Sequence, residues 1–205
     1  MMGLYEQQVL PRIIGVVLSG RECTRLRAQV AAGLEGDVLE VGFGSGANVP
    51  HLPAGVKQLR AVDPATVGRK LAARRVAASP VPVSYVGLDG EDLPLGDASV
   101  DHVLSTWTLC TIPDVGQALR EIRRVLRPGG TLRFVEHGRS DRPSIARWQD
   151  RITPLQRRIA GGCHLNRSID TLIVDAGLTL TRLEHPRLPG PEIFGYLFEG
   201  VATKT

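Results

Sequence analysis

At 205 residues, with 42% hydrophobic and 22% charged residues, the chain suits one domain with a sizeable core. Its net charge of +4 comes from arginines scattered between Arg12 and Arg187, and only 4% of residues are aromatic. There is thus no basic track with stacking platforms, and no nucleic-acid partner is expected. Three cysteines, Cys23, Cys110 and Cys163, form no C-x-x-C pair and no even-numbered framework, so reduced thiols are expected and a zinc site is not.

In chain order, residues 4–33 read as two helical segments broken near Ser19-Gly20, a helical cover (1–35) ahead of the sheet. The apolar run from Ile13 to Leu18 is much shorter than the ~20 residues a spanning helix needs. It has no basic leader or cleavage site, and a cytoplasmic location is expected. Val38, Leu39 and Val41 are the apolar residues of a buried strand that ends in Gly42-Phe43-Gly44-Ser45-Gly46. Lys57–Asp63 is a second strand, followed by a helix from Pro64 to about Val76, with Pro64 suited to a first helical position. Val81–Val86 and Val100–Ser105 give the third and fourth strands.

The helix Pro113–Arg127 has the clearest period, with Val115, Ala118, Leu119, Ile122, Val125 and Leu126 on one face and Pro128-Gly129-Gly130 as its stop. Thr131–Glu136 is the fifth strand. In residues 142–160, Ile145, Trp148, Ile152, Leu155 and Ile159 recur at spacings of three and four among arginines. This stripe reads as a helix face packed on the sheet or, more sharply, as a lid. Pro154 predicts a break into two short helices. Leu178–Leu183 and Ile193–Val201 close the chain as strands. The alternation predicts an α/β, doubly wound, Rossmann-like fold with ligands at the carboxyl ends of its strands. Its single domain, 1–205, divides into a cofactor-binding core (36–137), a helical acceptor-site cover (138–177) and closing strands (178–205).

Gly42, Gly44 and Gly46 let the backbone turn sharply and approach a bound molecule. Asp63, twenty-one residues beyond Gly42 at the end of the second strand, is placed to accept hydrogen bonds from ribose hydroxyls. Gly42, Gly44 and Ala47 also satisfy the dinucleotide pattern G-x-G-x-x-A. Glu40 argues against a dinucleotide. A carboxylate beside a pyrophosphate repels it by about 4 kcal/mol at ~4 Å for an effective dielectric near 20. S-adenosylmethionine carries a sulfonium and an ammonium instead, so Glu40 favours it as the cofactor.

With these residues and the runs Leu93-Pro94-Leu95-Gly96-Asp97-Ala98-Ser99-Val100-Asp101 and Leu126-Arg127-Pro128-Gly129-Gly130, the chain resembles class I S-adenosylmethionine-dependent methyltransferases over residues 36–137. The resemblance implies a seven-stranded sheet with an antiparallel last strand, reached through Ile193–Val201, and helices on both faces. It implies that Gly42, Gly44 and Gly46 underlie the methionine portion and that Asp63, with Pro64 beside it, meets the ribose. Asp89, Gly90 and Glu91 would border the adenine, and Thr106 and Trp107 the amino-acid moiety. Thr106-Trp107-Thr108-Leu109-Cys110, Val135-Glu136-His137 and Gly161-Gly162-Cys163-His164-Leu165-Asn166-Arg167 resemble segments of a narrower group that includes membrane-associated alkyl-thiol S-methyltransferases. A looser likeness extends to bacterial quinone and phospholipid-amine methyltransferases. Animal members of the narrower group carry a longer hydrophobic amino-terminal segment, which this sequence lacks, so membrane anchoring is not expected. The arginine-rich, amphipathic 142–160 stretch still permits transient contact with a membrane.

The implied activity is methyl transfer to a small lipophilic acceptor, thiol S-methylation first and quinone, phenol or phospholipid-amine methylation as alternatives. A non-catalytic S-adenosylmethionine-binding regulatory module is a further alternative, and the expected assembly is a monomer or weak dimer. A thiol reacts as thiolate and is partly ionised near neutrality, so a strong base is optional. His137, after the fifth strand, is the candidate base; a bond to backbone in the following loop is the competing reading. Trp148 and His164 are candidate acceptor-binding residues.

Overall fold

The computed structural model describes residues 13, 15, 17–64 and 66–205. The first of the two expected amino-terminal helical segments falls largely outside the described residues; the second is α1, Arg21–Ala31. Strands β1 (Gly36–Val41), β2 (Val56–Val62), β3 (Val83–Gly87), β4 (Val100–Thr106) and β5 (Leu126–His137) alternate with helices α2 (Thr66–Ala77), between β2 and β3, and α3 (Val115–Val125), between β4 and β5. Helices α4 (Pro143–Ile159) and α5 (Ile169–Asp175) follow, then β6 (Thr179–Glu184), a four-residue helix α6 (Glu192–Gly195) and β7 (Leu197–Thr203).

The seven strands form one sheet in the order β3-β2-β1-β4-β5-β7-β6. The first five are parallel, and β7 lies antiparallel between β5 and β6. Both faces are covered, which is why β1 reads as a nearly unbroken apolar run. Leu39 and Val41 point into the cluster formed with α3 and α5 through Leu119, Ile122, Ile169 and Ile173. Val38 points the other way, into the cluster with Leu26 and Val30 of α1 and Ala72 of α2. The chain leaves β1 toward β2 on one side and reaches β4 on the other, so the carboxyl ends of β1 and β4 flank the crevice where such sheets bind ligands.

Three expectations need correction. Helix α3 is shorter than 113–127: Asp114 caps it by accepting from the Gln117 amide at 2.9 Å, and Leu126 already belongs to β5. The run Ile193–Val201 is not one strand, because α6 occupies its start and β7 begins at Leu197.

The 142–160 stretch is one helix, α4, with Pro154 inside it. Proline deprives the Asp150 carbonyl of its helical partner, but Asp150 is exposed, where water can replace that bond. The face turned inward is Ala146, Gln149 and Thr153, while Trp148, Leu155 and Ile159 are 54%, 60% and 51% exposed. Gln149 explains this choice. Its Oε1 accepts from the Ser140 amide (2.8 Å) and its Nε2 donates to the carbonyls of Gly138 (3.1 Å) and Ile193 (3.3 Å), so one amide pins α4 to the loop after β5 and to α6. Among the described residues, no helix is long and apolar enough to cross a membrane.

Candidate active site

The turn after β1 is built for close approach. Gly42 and Gly44 both have positive φ, 79° and 53°. A Cβ at Gly42 would collide with the Thr108 side chain, whereas a Cβ at Gly44 would meet nothing within 4 Å. Gly44 therefore presents bare backbone to open space. Asp63, buried at the end of β2, holds this turn: its Oδ2 accepts from the Gly44 amide at 2.6 Å.

A second layer supports β1 and β4 from below. The Arg27 guanidinium of α1 donates to Asn48 Oδ1 (3.0 Å) and Thr106 Oγ1 (2.6 Å) and lies 4.7 Å from the centre of the Trp107 ring. Asn48 Nδ2 in turn donates to Glu40 Oε1 (2.8 Å) and Thr106 Oγ1 (3.0 Å). Trp107, just past β4, sits in the left-handed region at φ 54°, a conformation that costs a bulky residue about 1–3 kcal/mol. Its amide bond to the Val135 carbonyl (2.8 Å) and its stacking with Arg27 hold it there.

Over this corner lies a cavity of about 1480 Å³. Its wall includes Gly42, Gly44, Asp63, Pro64, Asp89, Gly90, Glu91, Thr106 and Trp107, nine of the eleven residues expected at a cofactor. The loop after β3 is ordered by its own acids: Asp89 Oδ1 accepts from the Glu91 amide (2.8 Å), and Glu91 Oε1 accepts from the Asp114 amide (2.9 Å). The opposite lining comes from Thr111, Ile112 and Pro113 after β4 and from Pro154, Arg157, Arg158, Gly161 and Gly162 at the end of α4.

Comparison with known proteins shows the family. The methyltransferase-domain family matches residues 39–134. A thiol S-methyltransferase, TMT1B of Rattus norvegicus, is 34% identical over 168 residues, covering 77% of this chain and 68% of the relative. The chain belongs to the class I S-adenosylmethionine-dependent methyltransferases. A ubiquinone/menaquinone biosynthesis C-methyltransferase from Hahella chejuensis is 38% identical, but over 33% of this chain and 27% of its own length. The structure of a SAM-dependent methyltransferase from Aquifex aeolicus shares the fold with a TM-score of 0.68 at 19% identity, over 95% of this chain and 98% of that one.

The methyltransferase's cofactor is S-adenosylmethionine, and the residues present fit it: a glycine that opens on the cavity and a buried acid beside it are what an aminoacyl nucleoside needs. Five expected site residues lie elsewhere. Glu40 stands behind the turn, fully buried, and burial pushes its carboxyl up to about 8 against the Asn48 bond and the Arg27 charge. Burial thus favours its protonated form. Glu40 does not line the cavity, and the cofactor rests on the family. Gly46 is in the turn but not on the cavity wall. Trp148 projects outward from α4, 5.3 Å from the Arg151 guanidinium. His164 has its Nδ1 3.2 Å from the Cys110 carbonyl, and His137 has its Nδ1 beside two thiols; neither ring lines the cavity.

Glu136 orders the loop that carries Thr108 to Pro113. Completely buried, it accepts from Ser105 Oγ (2.8 Å) and from the amides of Thr108 (3.1 Å) and Cys110 (3.1 Å). Burial raises its carboxyl's pKa, and these bonds pull it back. Arg27, Arg157 and Arg158 escaped the sequence reading because arginines are spread through the whole chain. Arg157 and Arg158 are exposed near the end of α4, and it is their place on the cavity lining that separates them from other surface charge.

Proposed function

We propose that this methyltransferase acts on small lipophilic thiols and transfers the methyl group to sulfur. The observation that carries the reading is the cavity lining, to which the exposed Arg157 and Arg158 and the apolar Ile112, Pro113 and Pro154 all contribute. Two guanidinium groups repel a protonated amine and attract an acceptor that reacts as an anion, while the apolar neighbours favour a lipophilic body. The similarity to proteins named thiol S-methyltransferases, over 77% of this chain, supports sulfur over phenolic oxygen or ring carbon.

When bound, S-adenosylmethionine supplies an electrophilic methyl group on a sulfonium sulfur. Gly42 and Gly44 would hold its methionine portion and Asp63 its ribose, with Asp89, Gly90 and Glu91 along the adenine. A thiol with a pKa near ~8.5 already contains thiolate at neutral pH, and the two arginines favour that form. No general base is needed, and none of the residues that line the wall is assigned as one. Alignment is the remaining task, and in favourable systems it lowers the barrier by about 7–11 kcal/mol.

The test is incubation with methyl-labelled cofactor and a panel of alkyl thiols, phenols, amines and quinones. Labelled thioether is the expected product, formed faster as pH rises toward the thiol pKa. Turnover of phenols, amines or quinones with every thiol inert would reject the assignment.

A further inference from the structure

Cys110, His137 and Cys163 stand on three separate segments: the loop after β4, the last residue of β5 and the loop after α4. Their ligand atoms nevertheless converge. Cys110 Sγ and Cys163 Sγ are 3.8 Å apart, and His137 Nδ1 is 3.8 Å from the first and 3.6 Å from the second. Both cysteines are buried and the histidine is half-buried. Backbone bonds fix the convergence: the Cys110 amide donates to Glu136 Oε2 at 3.1 Å and the His164 amide to the Cys110 carbonyl at 2.8 Å. Arg167 Nη1, beyond Cys163, donates to the Leu109 carbonyl at 2.5 Å.

Three such atoms satisfy one another poorly as neutral groups, since a thiol is a weak donor and a weak acceptor. They suit a borderline-soft cation. A tetrahedral zinc ion with Zn–S of about 2.3 Å and Zn–N of about 2.05 Å has S···S edges of roughly 3.8 Å and S···N edges of roughly 3.6 Å. The observed triangle comes within a few tenths of an ångström of those edges, so an ion fits just off its plane, toward the fourth ligand. A disulfide would instead require the sulfurs to close to about 2.05 Å.

We propose that Cys110, His137 and Cys163 form a Zn²⁺ site with three protein ligands and a water in the fourth position. The ion ties the β4 loop and the α4–α5 loop to the end of β5. Thr111 and Gly162, each one residue from a ligand, line the substrate cavity, so the site sets the shape of the acceptor-side wall. Both cysteines bind as thiolates and release their protons to solvent; no electrons move. The convergence is invisible to spacing, because the ligands are separated by a strand, two helices and a sheet register. The proposal does not depend on the nature of the methyl acceptor.

The test uses the full chain, reduced and made metal-free, titrated anaerobically with Co²⁺ and then Zn²⁺. One equivalent of Co²⁺ should give thiolate-to-cobalt charge-transfer absorption and tetrahedral visible bands, both abolished by one equivalent of Zn²⁺. Zinc should raise the unfolding temperature and protect two of the three thiols from an aromatic disulfide reagent. Loss of an outer hydrogen-bond partner typically weakens metal sites by about 10–100-fold, so losing a ligand in Cys163→Ser should weaken binding by at least ~100-fold. Cys23→Ser should bind as wild type does. The wild-type spectrum and thiol count decide the matter even if a cysteine variant fails to fold. Wild-type protein silent to both ions, or one that yields only a Cys110–Cys163 disulfide on exposure to air, would overturn the site. So would unchanged Co²⁺ spectra and affinity in Cys163→Ser.

Discussion

Replacing Asp63 separates two duties of one carboxylate. Asp63 Oδ2 holds the Gly44 amide at 2.6 Å, and the residue lies on the cavity wall where a ribose would sit. A carboxylate offers about four lone-pair positions, enough to serve the turn and a diol together. Hydrogen bonds to charged groups contribute about 1.5–3 kcal/mol each, so loss of even one ribose bond in Asp63→Ala should weaken S-adenosylmethionine binding roughly 10–150-fold. Asp63→Asn keeps one carbonyl oxygen, which the Gly44 amide can still use, but loses the charge. It should preserve the unfolding temperature of the cofactor-free protein better than Asp63→Ala while still binding weakly. Calorimetric titration with S-adenosylmethionine and its demethylated product, alongside thermal unfolding, reads both duties. If Asp63→Ala lowers the unfolding temperature yet binds cofactor with wild-type affinity, Asp63 serves only the turn and the ribose assignment is wrong.

Gly44→Ala places a methyl group in open space at a φ of 53°, so it should cost about 1–2 kcal/mol of stability through backbone strain while weakening cofactor binding far more. Equal losses in chemical unfolding and in calorimetry would show that the backbone does not approach the ligand there. Glu40 keeps its proton in the folded chain up to about pH 8, whereas its reference value is 4.5. The folded state therefore binds more protons across that window, and stability falls as pH rises through it. Glu40→Gln should flatten this slope in urea unfolding at several pH values and leave cofactor affinity nearly unchanged; parallel slopes in the two proteins would contradict the buried neutral acid.

What was legible in the sequence was whatever one segment encodes by itself. The strand Val38–Val41, its glycine turn and Asp63 at the end of the next strand lie within two consecutive parallel strands, and the doubly wound class follows from alternation. Helix α3 was legible because Val115, Leu119, Ile122 and Val125 all join one cluster, with only its final turn ceded to β5. The orientation of α4 was not. Hydropathy selects Trp148, Leu155 and Ile159 as the buried face, but three backbone groups, two in the loop after β5 and one in α6, need partners, and Gln149 supplies them from the opposite side. A buried, fully bonded amide outweighs the exposed stripe because unpaired backbone groups cost about 1–3 kcal/mol each.

The same reasoning explains why residues identified by chemical type fell away from the cavity. Glu40 was weighted for its charge, yet burial decides whether a carboxyl carries one, and burial is a property of the packed layers around β1 rather than of the motif. His137 was weighted for titrating near neutrality, yet the parallel register of β4 with β5, which sets Thr106 opposite Val135, brings its Nδ1 within reach of Cys110. A second carboxyl, Glu136, then fixes Cys110 and Thr108 by their amides, so the chemical groups after β4 are positioned by β5 rather than by their own strand. Specificity for the acceptor should therefore track this β4–β5 corner and the end of α4, where Arg157 and Arg158 face the same space, more closely than the glycine turn that binds the cofactor.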